Sequence, residues 1–510
     1  MKADVVVVGA GHNGLVAACY LASAGLKVNA LERRSVLGGA AVTEDLIPGY
    51  RVSTASYSLS LLRPDIYADL ELARHGLRFY PKDPQMFVPL RDGRHFFVWR
   101  DGRRTHEEIS RINQRDADAY KEFGRFWDSA VDELRPFVES DSPLSPAAVE
   151  GELRRRGQGE IWDVCVAGSA ASVVERFFES EEVQGAFASQ GIIGTALSPR
   201  HPGTAWVMAY HFIGGELNES TGTWAYVRGG MGGVTQALAA AARERGVKIE
   251  LDSEVEQILV DDNGVRGVQT GAGVIDCDIV VSNADPITTY RKLVPADRLT
   301  DDLIEKLDGW QTFGSVVKVN LALRELPDFK AMPGTNAGPQ HFGTLEISPS
   351  VDYLHEAWEE SAGGRPSTNP FMEVFIQSAT DPTLSEEGHV LSAFSQYSPP
   401  SPERETWPQM RETAYENVVR TLASYAPNIP DAIIASDVLG PPELEERFAL
   451  TGGNIFHGEI TPDQSFGARF AYESPIKGLY LAGSGASPGG GVMGAAGRNC
   501  ANVLLRNRRS

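Results

Sequence analysis

The first 32 residues contain the feature that most constrains the fold. A β-branched run predicts a buried parallel strand, and a Gly-x-Gly-x-x-Gly turn follows it directly. The predicted order is strand, glycine turn, helix, second strand and acid, at residues 4–8, 9–14, 15–24, 26–31 and 32. These five parts in this order indicate a dinucleotide-binding βαβ unit, and therefore a doubly wound α/β fold of the Rossmann type.

Each residue of this unit has a physical reason to be there. Gly9 allows the tight turn, Gly11 lets the backbone approach a pyrophosphate, and Gly14 lets the helix pack close to the strand. The helix N-terminus offers free N–H groups to the phosphates. Glu32 is placed to accept both hydroxyl groups of an adenosine ribose. An ordinary strand–turn–helix without a ligand is the alternative.

A second basic and glycine-rich segment follows the acid and narrows the choice of cofactor. It contains Arg33, Gly38, Gly39 and Ala40. A plain NAD dehydrogenase does not need such a segment, whereas FAD has a longer chain that continues past the first turn. The segment therefore predicts FAD as the cofactor, with these four residues among its contacts. A glycine-rich surface loop is the alternative interpretation.

The C-terminal end of the chain has a matching pattern. Residues 478–482 predict a short strand, which leads into Gly483 and Ser484 and then into a long glycine-rich segment. So many glycines beside one strand indicate that the backbone passes close to a ligand. We expect Gly491 and Val492 to lie at the flavin, with a last helix running from about 491 to 505. The alternative is a glycine-rich loop before a terminal helix.

Composition and charge limit the classes of function. The chain has 510 residues, 42% of them hydrophobic, and a net charge of −21, which argues against nucleic acid and anionic membranes as partners. No apolar run is long enough to form a transmembrane helix. The four cysteines are scattered, which excludes a redox Cys-x-x-Cys and a zinc knuckle, and no metal site is predicted. The chain opens on a core strand without a signal peptide, so we expect a cytoplasmic protein.

Two domains are expected, and both are discontinuous. The predicted FAD-binding domain comprises residues 1–72, 222–290 and 441–510, and the predicted α+β substrate domain comprises 73–221 and 291–440. Within the latter, residues 183–215 carry Arg200 as their only charged residue, counting histidine as neutral. This segment is either a buried helix pair or the wall of an apolar substrate cavity. Residues 53–62 are expected to cover the flavin from the other side.

With both glycine-rich ends in place, the chain resembles the phytoene desaturase-like FAD oxidoreductases, a branch of the amine oxidase-type flavoproteins. The stretches 61–64, 282–286 and 452–458 are similar to a soluble subgroup named pyridine nucleotide-disulfide oxidoreductase domain-containing protein. The resemblance implies that the backbone at Val255 holds the adenine; a β-meander without ligand contact is the alternative. The sequence departs from the wider flavoprotein pattern at Ser484, where an acid often follows the glycine.

The subgroup's name implies a disulfide reductase, and the sequence contradicts that implication. The chain has no redox Cys-x-x-Cys and no second strand–Gly-x-Gly-x-x-Gly–helix unit for NAD(P)H. We therefore expect oxygen or a quinone, rather than NAD(P), as the electron acceptor.

Two residues are candidate catalytic groups. Lys318 lies in a strand pattern whose alternation puts it on one face with Asn320, opposite Val317 and Val319. By resemblance, Lys318 reaches flavin N5 through a water; a solvated lysine on the strand face is the alternative. His457 lies in a glycine-flanked segment, where it is either a flavin donor or base or a histidine bonded to the backbone.

The predicted function is that of an FAD-dependent dehydrogenase, desaturase or oxidase. It would take a hydride from a largely apolar small molecule, with isoprenoid-like molecules among the candidates. A flavin amine oxidase is a second interpretation. A third, from another class, is a flavin-holding interaction protein or a non-redox isomerase. Bleaching of the bound flavin by a substrate distinguishes the first two interpretations from the third.

Overall fold

The computed structural model of the protein describes residues 3–215, 217, 222–400 and 402–509. The expected domain limits at residues 1, 221 and 510 lie outside the described residues. The strands are β1 (Val5–Val8), β2 (Val28–Leu31), β3 (Thr43–Ile47), β4 (Tyr50–Ser53), β5 (Phe79–Pro81), β6 (Met86–Pro89), β7 (His95–Val98), β8 (Ala225–Val227), β9 (Lys248–Glu250), β10 (Val255–Asp261), β11 (Gly264–Thr270), β12 (Gly273–Asp276), β13 (Ile279–Ser282), β14 (Val316–Leu323), β15 (Thr344–Ile347), β16 (Phe371–Phe375), β17 (His389–Gln396), β18 (Ile433–Leu439) and β19 (Leu479–Leu481).

The α-helices of the same residues are α1 (His12–Ser23), α2 (Pro64–Asp69), α3 (Gly102–Ser110), α4 (Gln114–Glu139), α5 (Pro146–Arg155), α6 (Gly159–Ile161), α7 (Ala170–Phe177), α8 (Glu181–Ala188), α9 (Thr204–Phe212), α10 (Gly232–Glu244), α11 (Asp301–Asp308), α12 (Pro339–Phe342), α13 (Val351–Ala362), α14 (Trp407–Tyr425), α15 (Ile429–Ala432), α16 (Pro441–Phe448) and α17 (Ala495–Asn507). None of them combines the length and the apolar character needed to cross a bilayer.

A five-stranded parallel sheet brings together distant parts of the chain. Its order is β19-β13-β1-β2-β9, and every neighbouring pair is parallel. The central strand β1 is buried along its whole length, as its continuous run of valines predicted. Helices α10 and α17 both pack on α1. This is the α/β, Rossmann-type architecture that the N-terminal pattern indicated.

Two helices begin at other residues than predicted. Helix α1 begins at His12 rather than near Leu15, because Gly11 takes an extended N-cap conformation. Helix α17 begins at Ala495, which corrects the prediction of a start near Gly491. The reason is that Gly491 and Gly494 both have a positive φ, which a right-handed helix excludes.

A seven-stranded sheet forms the second layer of the molecule. Its order is β18-β14-β17-β16-β15-β6-β7, with β15 and β6 parallel and the other neighbours antiparallel. In β14, Val317 and Val319 join the apolar core that includes Val418 and Leu422 of α14. Lys318 points to the other face, in agreement with the predicted alternation.

A helical core lies against that other face of the sheet. Trp127 of α4, Trp206 of α9 and Phe394 of β17 belong to one buried cluster. Residues 183–215 belong largely to this cluster, as a buried helix pair would, but Ile193 and His211 also line cavities described below. The segment therefore packs largely as buried core, and its role as the wall of a substrate cavity stays a prediction.

Candidate functional site

A cleft of about 420 Å³ opens at the carboxyl ends of β1, β2 and β13, where doubly wound sheets bind their ligands. We call it the first cavity. The predicted contacts that line it are Gly9, Gly11, Glu32, Arg33, Gly38, Gly39, Ala40, Val255 and Ser484. Asn283, Lys292 and Arg404 also line it, and the sequence reasoning did not assign them to the site. Asn283 lies in the stretch 282–286 that carries the family resemblance, whereas no local pattern marks the other two.

The carboxylate of Glu32 is held beside the glycine turn. Its Oε2 accepts from the backbone N–H of Ala10 at 2.9 Å, and its Oε1 accepts from that of Arg34 at 3.0 Å. The residue is 6% exposed and lines the cavity. The carboxylate at the end of β2 is thus fixed beside the glycine turn, and its contact with a ribose stays a prediction.

The two glycine-rich N-terminal segments form one wall of the first cavity. The backbone N–H of Gly38 donates to the carbonyl of Ala10 at 3.0 Å. A Cβ on Gly39 would lie 3.4 Å from the Cα of Gly11. Gly38 and Gly39 both have a positive φ, so this close approach depends on glycine.

Two of the predicted contacts lie behind the cavity rather than on its surface. A Cβ on Gly14 would lie 2.3 Å from the carbonyl oxygen of Gly9, and one on Gly483 would lie 2.6 Å from that of Asn283. Both glycines allow elements to pack closely, and they are absent from the residues that line the cavity. For Gly14 this is the packing role that the sequence predicted.

A second cavity of about 140 Å³ continues from the first. The residues that line both are His12, Ala40, Leu450, His457 and Ser484. Lys318, Gly491 and Val492 line the second cavity, together with Tyr57 and Leu61 from the 53–62 segment. The structure therefore brings both candidate catalytic residues to the same cavity as the C-terminal glycines.

Lys318 is fully enclosed, which excludes the interpretation as a solvated lysine on the strand face. Its side chain is 2% exposed, and Nζ lies 4.4 Å from the centroid of the Tyr57 ring. Within the described chain, Nζ has no hydrogen-bond partner. Burial lowers the pKa of Lys318 to about 7, although the charge of Glu373 acts in the opposite direction.

His457 is positioned by the turn that contains it. The side-chain oxygen of Asn454 accepts from the backbone N–H groups of Phe456 and Gly458 at 2.9 and 3.1 Å. His457 itself has a φ of 57°. Burial lowers its pKa to about 4, so the imidazole is neutral at physiological pH.

The buried polar atoms that lack partners test whether a flavin fits these cavities. Among the described residues, six such atoms belong to side chains that line the first or second cavity: His12 Nε2, Asn13 Oδ1, Arg34 Nη1, Ser58 Oγ, Lys318 Nζ and His457 Nδ1. Buried polar groups are normally hydrogen-bonded. A flavin nucleotide offers phosphate oxygens, ribityl hydroxyls and ring heteroatoms along one extended molecule, and it fits this arrangement.

A third cavity of about 240 Å³ continues from the second and shares Tyr57, Ser58, His211 and Trp224 with it. Lys82 and Glu373 line this third cavity. The sequence reasoning missed both. The available signal was a single acid inside an otherwise apolar strand, as Glu373 is in β16.

Comparison with known proteins gives relatives along the whole chain. "Pyridine nucleotide-disulfide oxidoreductase domain-containing protein 2" of Mus musculus is 38% identical and covers 99% of this chain and 94% of its own. A component of the limonene dehydrogenase of Castellaniella defragrans is 26% identical, with coverages of 99% and 95%. The lycopene-forming phytoene desaturase of Pseudescherichia vulneris is 23% identical, with coverages of 98% and 99%. These relatives confirm the predicted resemblance.

Solved structures share the fold. An oxidoreductase from Methanosarcina mazei has a TM-score of 0.63 at 19% identity, covering 99% of this chain and all of its own. An engineered putrescine oxidase has a TM-score of 0.64 at 18% identity and covers both chains completely. The family described as "Flavin containing amine oxidoreductase" matches residues 14–505. The chain therefore belongs to the family of flavin-containing amine oxidoreductases and is a flavin-dependent oxidoreductase.

Proposed function

We propose that the protein binds one non-covalent FAD and uses it to dehydrogenate a small organic molecule. The observation that carries this proposal is the continuous path from the glycine turn at Gly11 to the side chain of Lys318, through two connected cavities. FAD, when bound, supplies an acceptor for the hydride that leaves the substrate. We also keep the division into an FAD-binding and a substrate domain as part of the proposal.

Different residues of the first cavity bind different parts of FAD. Glu32 holds the ribose hydroxyls, and the backbone at Val255 holds the adenine. The free N–H groups at the start of α1 face the pyrophosphate, helped by the positive charge of Arg33. Gly38, Gly39 and Ala40 leave room for the chain beyond the pyrophosphate. Ser484, Gly491 and Val492 hold the flavin end, with Gly14 and Gly483 supporting them from behind.

Lys318 and His457 act at the flavin end. A buried ammonium without a partner is costly, and a water shared with flavin N5 would solvate Lys318. With a pKa of about 7, this lysine is able to gain and lose a proton near neutral pH. His457, which is neutral, is able to donate to or accept from the flavin through Nδ1, the nitrogen without a partner.

We propose a largely apolar substrate and oxygen or a quinone as electron acceptor. The apolar side chains around the second cavity support the first part, including Leu61, Ile193, Val316 and Phe394. The relatives named for limonene dehydrogenation and phytoene desaturation support an isoprenoid-like body for the substrate.

A flavin amine oxidase is the second candidate. Its supporting observation is the group of aromatic rings around the third cavity, with Tyr57, Trp224 and Phe375 close to the carboxylate of Glu373. Aromatic rings and a carboxylate together are typical of an ammonium site.

Two measurements test the proposed function. Denaturing the purified protein and chromatographing the released cofactor identifies it; FMN, NAD or no cofactor would contradict the proposal. Anaerobic titration with isoprenoid alcohols, aldehydes and hydrocarbons, and with primary amines as the competing set, then records bleaching of the flavin. Bleaching by the amine set alone favours the second candidate. A flavin that no compound bleaches contradicts both proposed substrate classes.

A further inference from the structure

The face of the seven-stranded sheet beside the second and third cavities carries a row of charged side chains that an apolar substrate does not explain. Lys318 is paired with Phe394 across β14 and β17, Phe394 with Glu373, and Glu373 with Glu346 across β16 and β15. Cross-strand partners point to the same face of a sheet. The two glutamates and Lys82 are at most 7% exposed, so their charges are removed from bulk water. A substrate made only of hydrocarbon would offer no acceptor to the remaining N–H groups of Lys82.

Lys82 occupies the place that an amine substrate would need. Its Nζ lies 5.1 Å from the ring centroid of Phe375, 5.5 Å from that of Tyr226 and 6.0 Å from that of Trp224. The negative charges of Glu373 and Glu346 act on the same ammonium and favour its charged form. The ammonium group of Lys82 therefore occupies the aromatic and acidic surroundings that are typical of an ammonium site.

The carboxylates of the row are already engaged. Glu373 accepts from Gln190 Nε2 at 3.0 Å and from the Tyr57 hydroxyl at 3.2 Å. Glu346 accepts from Ser348 Oγ at 2.9 Å, and it is absent from the residues that line the third cavity. Burial raises the pKa of both carboxyl groups, which lowers the negative charge that they present.

Lys82 has spare capacity as a hydrogen-bond donor in this cavity. Lys82 Nζ carries three N–H groups, and in the described chain it has one hydrogen-bond acceptor, Thr344 Oγ1 at 2.6 Å. Burial lowers the pKa of Lys82 to about 8, so the group remains largely protonated at neutral pH. A ligand that enters this cavity thus meets a cation with two free donors.

We propose that the third cavity binds the hydrogen-bond-accepting oxygen of the substrate, a carboxylate or a carbonyl, at Lys82 Nζ. The apolar body of the same molecule extends past Tyr57 into the second cavity, because the two cavities share that residue. The inference rests on the proposed function and specifies its substrate as an oxygen-bearing, amphipathic molecule. It also disfavours an amine as the substrate, because Lys82 repels a second ammonium.

Binding of inert probes to the flavin-loaded protein tests this inference without turnover. Benzoate and benzylammonium form a charge-reversed pair, and acetophenone and ethylbenzene differ by one carbonyl oxygen. We expect benzoate or acetophenone, or both, to perturb the flavin spectrum saturably. Benzylammonium and ethylbenzene should bind at least tenfold more weakly. The stronger of the two oxygen-bearing probes identifies the group as carboxylate or carbonyl. Failure of both to bind, or equal binding of benzylammonium, overturns the proposal.

Variants of Lys82 connect this binding to the assigned residue. Lys82→Met removes the donors at similar length and should weaken the oxygen-bearing probes tenfold or more. The control Lys27→Met changes an exposed lysine and should leave them unaffected. Unchanged binding in Lys82→Met overturns the proposal.

A second variant covers the case in which Lys82→Met does not fold. Lys82→Ala vacates the ammonium's place, and added propylammonium should restore probe binding where 1-propanol does not. Absence of this restoration counts against the proposal. All titrations are measured on the absorbance of the bound flavin. If the probes do not bind, the proposed function is unaffected. If the protein carries no flavin, that result counts against the proposed function itself.

Discussion

At the scale of single residues, Gly11 makes a steric demand in the first cavity. Its φ of −73° is open to any residue, so conformation does not require glycine there. A Cβ would lie 2.7 Å from the side-chain nitrogen of Asn283, a residue that also lines the first cavity. We expect Gly11→Val to fold and to lose its flavin, measured as the ratio of flavin absorbance to protein. Gly124→Val, at a position with open space, is the control; flavin retained in Gly11→Val contradicts the assignment.

Lys318 is the residue whose loss should affect the chemistry rather than the binding. Lys318→Met keeps the length of the side chain and removes the amine. We expect FAD to stay bound, while flavin reduction or reoxidation slows by tenfold or more, about 1.4 kcal/mol in the barrier. Stopped-flow absorbance of each half-reaction measures the effect. Normal rates in both half-reactions would remove Lys318 from the mechanism.

The pKa of Lys318 also predicts how stability depends on pH. Below about pH 7 the lysine is protonated both folded and unfolded, and the folded state carries the full cost of a buried charge. Between about pH 7 and the ordinary lysine pKa of 10.5, the unfolded state binds more protons, so the contribution to stability rises with pH. Lys318→Met lacks this rise. Its gain in melting temperature over the wild type should be largest at pH 6 and shrink towards pH 10; a constant difference contradicts the assigned burial effect.

At the scale of elements, the crossing of α1 and α17 joins the two ends of the chain. A Cβ on Gly497 would lie 2.1 Å from the carbonyl oxygen of Asn13, so the helices meet backbone to backbone. The side-chain nitrogen of Asn13 donates to Ser484 Oγ at 3.3 Å, close to the same crossing. The first turn of α1 and the C-terminal glycine segment are therefore held as one unit.

Gly497→Ala should separate these helices. The new Cβ would meet the backbone of α1, which cannot move aside as the end of a flexible side chain can. The resulting overpacking should lower the free energy of unfolding by about 1–3 kcal/mol. We expect a lower melting temperature and weaker retention of flavin, because the start of α1 moves with the helix. Gly124→Ala, in an open position of α4, is the matched control for a glycine in a helix. Equal stability and equal flavin content in both variants would show that α1 and α17 can move apart without a loss of stability.

At the scale of the whole molecule, the architecture predicts which reductants work. The strand–glycine turn–helix unit at β1 opens on the first cavity, which we propose that FAD fills. The glycines that precede α17 repeat the Gly-x-Gly-x-x-Gly spacing of the N-terminal turn. However, Gly491 lines the second cavity, and a long turn separates these glycines from β19. We therefore expect neither NADH nor NADPH to reduce the flavin efficiently. Anaerobic mixing at micromolar concentrations measures this, and fast stoichiometric bleaching contradicts it.

Local patterns determined a large share of the first cavity. The valines of β1, the glycine turn and Glu32 are close in sequence, and their roles follow from strand burial, turn sterics and helix capping alone. The residues around the C-terminal glycines were predicted for the same reason. The start of α17 was not, because the choice among positive-φ glycines depends on what packs beside each one; Gly494, for example, faces Ile66 and Val16.

The sequence by itself thus determined the Rossmann-type unit, the flavin class and the strand face of Lys318. Tertiary structure decided that Lys318 is buried, and that Lys82, Glu373 and Glu346 meet beyond the second cavity. The physical reason is that the alternation of side chains along a strand determines the face on which a residue lies, but not which elements cover that face. The pairing of β14, β15, β16 and β17 joins residues far apart in the sequence, and no local pattern carries that information.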